Sequence, residues 1–338
     1  KSKKKLRMPN FSDIFSMTPN TDKLREFIRE GLDNDHCLDY YVSDSSPITL
    51  EEFAELLPDE LIDPDGNKVF ISQSLIKGFK EVQERKTCPK KFSYQSLQRN
   101  YTDANPQSAM AKGCRFEYLL TGNLPKSGKV PPEITTEAGN VSKAENQRIR
   151  DNVLNAKETL SRNRFFLNMA KKGEKYYFKC LSIDMDLEWD DKIGDIKYSG
   201  LLGKSGKDSE FGWNYQFTKG GTNEIRIINY SDGYGHKVQA IHYPLVIELL
   251  TGIRKDFYFM VFDNRAKKEG EYEIIKMEPS EETRYQHMHI ILNTIKGIQA
   301  EWEGDNFEAI PNYAECKSCP LVDCPERSKS QEIKTFKF

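Results

Sequence analysis

After Gly173 the spacing of apolar residues changes from about 3.6 to about 2, and this switch limits the possible folds more than any other feature. Before it the pattern is helical, from Ser72 to about Leu120, with interruptions near Thr87-Cys88-Pro89 and around Asn105-Pro106. A long polar helix is expected from about Ser142 to Ala170. After the switch, Tyr176 to Cys180, Ser182 to Trp189, Lys192 to Tyr198, Asn223 to Asn229, Phe257 to Asp263 and Tyr272 to Met277 read as strands. Helices are expected over Lys237 to Leu250 and Ser280 to Trp302. Helices, a strand meander, then a helix and further strands suit an α/β or α+β domain, with a central mixed β-sheet flanked by helices. Ahead of it, residues 19 to 32 read as an amphipathic helix. Thr49 with Glu52, before Phe53, Leu56 and Leu57, is a capping box that opens another. The turn residues Asp63 to Asn67 close this part. The expected division is an N-terminal helical extension (1–70), a principal domain (71–327) and a tail (328–338).

The 338 residues carry 50 Lys+Arg against 52 Asp+Glu, a net charge of −2, so binding to nucleic acid through bulk positive charge is excluded. Any such contact must use local patches. Around Cys88 one exists: Lys77, Lys80, Arg85, Lys86, Lys90, Lys91 and Arg99, with Phe92 and Tyr94 interleaved, read either as a phosphate-tracking surface or as a solvated helix face. No apolar run approaches the roughly 18 to 20 residues that span a bilayer. The Lys-rich start lacks the apolar stretch of a secretory signal, so the expected address is the cytoplasm, with no membrane partner. Seven cysteines are too few for a disulfide-stapled fold. Cys316, Cys319 and Cys324 crowd into one short segment, which in a reducing compartment points to metal. His242 reads as a packing residue, and His287 and His289 as surface or structural.

The most informative stretch runs from Ser182 to Lys197. If Asp190-Asp191 is a two-residue turn, Asp186 lies opposite Asp195 and Asp184 opposite Lys197. All four side chains are then expected on one face, with Ile183, Met185, Ile193 and Ile196 serving the other. Three carboxylates and one amine on one sheet face are costly without a counter-ion, and magnesium or manganese would supply it through oxygen ligands. An exposed charged strand with an ordinary ion pair is the simpler alternative.

Asp195-Ile-Lys197, preceded by an Asp on the previous strand, resembles the PD-(D/E)XK nuclease motif, and its flanks resemble the RecB-like branch of that superfamily. Gly113-Cys-Arg-Phe116-Glu117 is similar to the early Gly-x-x-Phe-(His/Glu) motif of the branch, and Gln239-Ala-Ile-His-Tyr243 to its Gln-x-x-x-Tyr motif. Thr87-Cys88-Pro89-Lys-Lys-Phe92 with Cys316, Cys319 and Cys324 resembles the split four-cysteine iron–sulfur staple of the AddB type. The resemblance spans about Ile71 to Arg327, with the motifs in order. Ile183 stands where Pro is usual, Glu117 where several relatives carry His, and Leu201 to Gly221 looks like an insertion.

The resemblance implies a restriction-endonuclease-like core and a divalent-metal-dependent deoxyribonuclease, an exonuclease or end-processing enzyme. Asp195 would be a metal ligand, with Asp184 or Asp186 as the second, the carbonyl of Ile196 as a third, and Glu117 adding a ligand or holding a second ion. Lys197 would position or deprotonate the attacking water, and Gln239 and Tyr243 would orient the DNA backbone or the lysine. Cys88, Cys316, Cys319 and Cys324 would hold a 4Fe-4S cluster, with zinc as the alternative. The implied partners are single-stranded or end-containing duplex DNA and a helicase, recombination or replication protein. Three rivals are a structure-specific endonuclease, a non-catalytic nuclease-like scaffold, and a zinc-stapled RNA-binding protein.

Overall fold

A computed structural model describes residues 46–84, 86–99, 108–125, 128–162, 171–172, 174–199, 234–264, 272–304, 307–309, 316 and 319–326. All of them belong to one of the two units into which the chain divides, Ser43–Phe338. The expected helix at 19–32, the strand at 223–229, the insertion at 201–221 and the tail lie outside the described residues.

The first described helix, α1 (Leu50–Leu56), carries the expected capping box. The Glu52 amide donates to Thr49 Oγ1 (3.1 Å) and the Thr49 amide to Glu52 Oε2 (2.9 Å). Strands β1 (Leu61–Ile62) and β2 (Lys68–Val69) form a small hairpin closed by Asp63, whose carboxylate accepts from the Asn67 amide. Ile48, Phe53, Leu57, Leu61 and Val69 are buried in the same core as the principal domain.

Helix α2 (Gln73–Gln83) is followed by α3 (Pro89–Phe92), which runs into a π-helical turn (Ser93–Leu97). Next come α4 (Ala109–Thr121) and α5 (Lys143–Arg162). The strands are β3 (Lys171–Lys172), β4 (Lys175–Phe178), β5 (Leu181–Asp184), β6 (Leu187–Glu188), β7 (Lys192–Ser199), β8 (Asp256–Asp263) and β9 (Tyr272–Met277). Helix α6 (Tyr234–Thr251) crosses from β7 to β8, and α7 (Glu281–Gly304) follows β9. The five-stranded sheet has the order β3-β6-β7-β8-β9, with β7 and β8 parallel and the other pairs antiparallel. Strands β4 and β5 form a separate antiparallel ribbon. This is the expected mixed sheet flanked by helices.

The central strands are buried on both faces, so side-chain alternation sorts them into two cores. Ile193, Phe257, Phe259 and Val261 pack with Ala240, Tyr243 and Val246 of α6 and with Ile291 and Ile295 of α7. Ile196, Met260 and Phe262 pack with Phe116 of α4 and Ile149 and Val153 of α5. Ile193 and Ile196 therefore face opposite ways, contrary to their grouping from sequence, because residues three apart on a strand have opposite parity. No helix among the described residues is long and apolar enough to cross a membrane.

Candidate active site

The expected two-residue turn is present. Leu187 pairs with Gly194 and Glu188 with Ile193, and the Trp189 amide bonds the Lys192 carbonyl (2.9 Å), leaving Asp190-Asp191 as the turn. The expected single strand over Ser182 to Trp189 is broken at Met185-Asp186, however. Its first half pairs with β4 and its second half with β7. Asp184 consequently lies opposite Lys175, not Lys197, and its carboxylate sits 3.7 Å from the Lys175 ammonium. Asp186, released from regular pairing, turns its Oδ2 to accept the Ile196 amide of β7 at 2.7 Å.

Asp195 and Lys197 alternate with Ile196 on β7 and project toward α6, where Gln239 and Tyr243 share a face at a spacing of four. The buried Asp195 carboxylate accepts from Gln239 Nε2 through Oδ1 and pairs through Oδ2 with the Lys197 ammonium. Helix α4 brings Glu117 to the same place. It is anchored by Phe116, which is fully buried and stacked on Tyr198 of β7 (ring centroids 4.2 Å apart, 4° between planes). A side chain at Gly113 would meet nothing within 4 Å, so packing does not demand this glycine of the early motif.

Charges in this cluster are strongly displaced. Burial first, then the charge of Asp195, pushes the Glu117 carboxyl up to about 7, and Glu117 hydrogen-bonds the Asp186 side chain. One of those two carboxyls must hold the proton for that bond. Burial, Asp195 and Glu117 hold Asp186 well above the usual carboxylate range. Burial raises Asp195 despite Lys197 and Gln239. Burial alone would lower Lys197, but Asp195, Asp186 and Glu117 outweigh it and hold its proton more tightly than usual. Burial and the nearby carboxylates keep the Tyr243 phenol protonated.

Among the described residues no group of three or more His, Cys, Asp or Glu stands at metal-ligating spacing. Lys197, against Asp195, is the counter-charge here. The donor set nonetheless suits a hard divalent cation: one buried carboxylate, Asp195, and two half-buried ones, Glu117 and Asp186, crowd one lysine, and the buried Asp195 Oδ2 has an ion pair but no well-directed hydrogen bond. Sequence reasoning missed Asn123, just past α4, whose side-chain amide donates to the Asp186 carbonyl at 3.1 Å and ties α4 to the strand break. A polar residue after a helix-ending glycine carries no distinguishing signal.

The cysteines are less gathered. Cys88 precedes α3, Cys316 is buried, and Cys319 and Cys324 are half-buried. Phe92 of α3 contacts Phe79 of α2 and Phe307 beyond α7 (centroids 5.8 and 6.0 Å), so Phe307 lies beside the helix that Cys88 opens. Phe92 is buried and cannot be the stacking aromatic of the basic patch. Lys80 and Lys86 pair with Glu84, and Arg85 lies outside the described residues.

His242 and His287 are both buried, with Nδ1 of one 3.2 Å from Nε2 of the other. Burial drives His242 down to about 4 and His287 well below its ordinary value. His242 is the expected packing residue, and of the two readings for His287, surface or structural, the buried position fits the structural one.

No family profile matches the sequence, and no curated protein matches it. A solved structure from Eubacterium rectale, described as a "putative exonuclease", is similar over 91% of this chain and 97% of its own, with 16% identity and a TM-score of 0.48.

Proposed function

We propose that the chain is a divalent-metal-dependent nuclease that hydrolyses phosphodiester bonds in DNA, as an exonuclease or end-processing enzyme. The observation that carries this reading is the meeting of Glu117, Asp186, Asp195 and Lys197, from three separate segments, in one half-buried cluster whose inner wall is the buried Gln239 and Tyr243. The carboxylates of Glu117, Asp186 and Asp195, with the carbonyl of Ile196, would hold the cation. Asp184, ion-paired at the rim, would shape the approach. A cation held there gathers charge on the non-bridging oxygens and lowers the pKa of an attacking water. Lys197 holds its own proton, so it suits offsetting transition-state charge rather than removing a proton from water. Gln239 fixes Asp195, leaving the other oxygen toward the lysine.

The four cysteines are proposed to hold an iron–sulfur cluster, or zinc, as a structural clamp between the start of α3 and the C-terminal segment. Iron, sulfide and zinc contents of the purified chain decide between them.

The test is cleavage of end-labelled single- and double-stranded linear DNA with magnesium or manganese, comparing wild type with Lys197→Ala. The expected loss is on the order of 10²-fold or more, as for removal of one transition-state donor. Mononucleotide products would mark an exonuclease, and internal cuts at junctions a structure-specific endonuclease. A folded, metal-replete wild type that cleaves neither DNA nor an RNA control would favour the scaffold.

A further inference from the structure

The β4–β5 ribbon has an inner and an outer face. Leu181 and Ile183 are buried, and Tyr176 and Phe178 pack against the same core. Lys175, Tyr177, Ser182 and Asp184 therefore point outward, and the register sets Lys175 beside Asp184 and Tyr177 beside Ser182. Tyr177 is 47% exposed, unusual for so large a ring. Its centroid lies 4.7 Å from that of Phe70, and the guanidinium of exposed Arg99 lies over the Phe70 ring at 5.4 Å. Arg99 adopts φ 56°, a conformation uncommon for a bulky residue.

This stack adjoins the candidate active site. Asp184, at the other end of the outer face, lies close enough for its charge to act on Glu117 and Tyr243. Two strand residues, about 7 Å, separate its level from that of Tyr177. The Lys175–Asp184 contact is long and solvent-exposed, which leaves the lysine little bound. Exposed aromatic faces with interleaved cations are how proteins hold a single strand without reading its sequence. Duplex bases, already stacked on one another, cannot use such a surface.

The geometry points to a base-stacking platform for single-stranded DNA, made by Tyr177, Phe70 and Arg99, that leads the strand past Lys175 to the carboxylate cluster. The inference rests on the nuclease reading for its direction, but it concerns binding, so it is tested without catalysis. Fluorescence anisotropy with labelled oligo(dT) in chelator should show binding by wild type. Tyr177→Ala should weaken it about tenfold, and Tyr177→Phe, which keeps the ring, should stay within about twofold. Arg99→Ala should weaken binding and lower its salt dependence. A blunt duplex of equal length should be insensitive to Tyr177→Ala. An oligonucleotide carrying 5-iodouracil should photocrosslink to the peptide containing Tyr177 or Phe70. The platform is overturned if wild type does not bind oligo(dT), if Tyr177→Ala binds it unchanged, or if crosslinks fall only elsewhere. Metal-dependent cleavage abolished by Lys197→Ala would in those cases leave the nuclease reading intact. Ring-dependent binding by a chain that cleaves nothing would keep the platform and remove the nuclease.

Discussion

Glu117 shows how burial beside like charges sets the protonation of one residue. Its carboxyl titrates near 7 in the folded chain, above the ordinary 4.5. The folded state therefore holds a proton that the unfolded state has lost, and this contribution, complete below about pH 4.5, disappears as pH rises through 7. In chelator at pH 8, Glu117→Gln should be more stable than wild type by about 3 kcal/mol, with the difference vanishing at pH 4, as read from urea unfolding. The same substitution should weaken manganese binding, and wild-type affinity should climb through pH 7 as the ligand set ionises. Asp195 and Lys197 are legible in the sequence because strand alternation puts them on one face, whereas Gln239 and Tyr243 stand out there only through the resemblance to the Gln-x-x-x-Tyr motif. The choice between Asp184 and Asp186 is not legible there. Both have the parity of Asp195 across an unbroken hairpin, and only the switch of partners from β4 to β7 separates them.

At the scale of elements, β7 works because Gly194 has no side chain. A Cβ there would stand 2.3 Å from Met260 Cε and 2.8 Å from Trp189 Cζ3, so the indole lies across the strand only over a glycine. Gly194→Ala should cost about 1–3 kcal/mol, as overpacking typically does, measured by chemical denaturation. Because the displacement falls beside Asp195, activity should fall further than stability alone explains. Strand β8 is legible as a continuous apolar run, the mark of burial on both faces. The break within β5–β6 is not, since Ser182 to Trp189 alternates cleanly and nothing local says that its two halves serve different sheets. Phe92 misleads for a related reason: lysines around an aromatic say nothing of whether the ring turns in or out.

Among the described residues two cores lie on opposite faces of one sheet, and the histidine pair is buried as well. His242 titrates near 4, below the ordinary 6.5, so the unfolded chain takes up a proton that the folded chain refuses. Its contribution is present above pH 6.5 and is lost as pH falls toward 4, amounting to about 2 kcal/mol at pH 5. Glu117, Asp186 and Asp195, all raised, slope the opposite way, so the measurement is a difference between two variants. In the Glu117→Gln background, adding His242→Gln should gain stability relative to its parent as pH falls from 7 to 5, as read from urea unfolding. The order of assembly follows from the connections already described. Asp195 and Gln239 are 44 residues apart, Asn123 and Asp186 are 63 apart, and β7 finds its parallel partner only after the α6 crossover. Contacts that close such long loops form late, because chain entropy is lost before the contact rewards it. The carboxylate cluster is thus among the last features to come into being, and a half-made chain leaving the ribosome carries its charged residues as scattered, inert side chains.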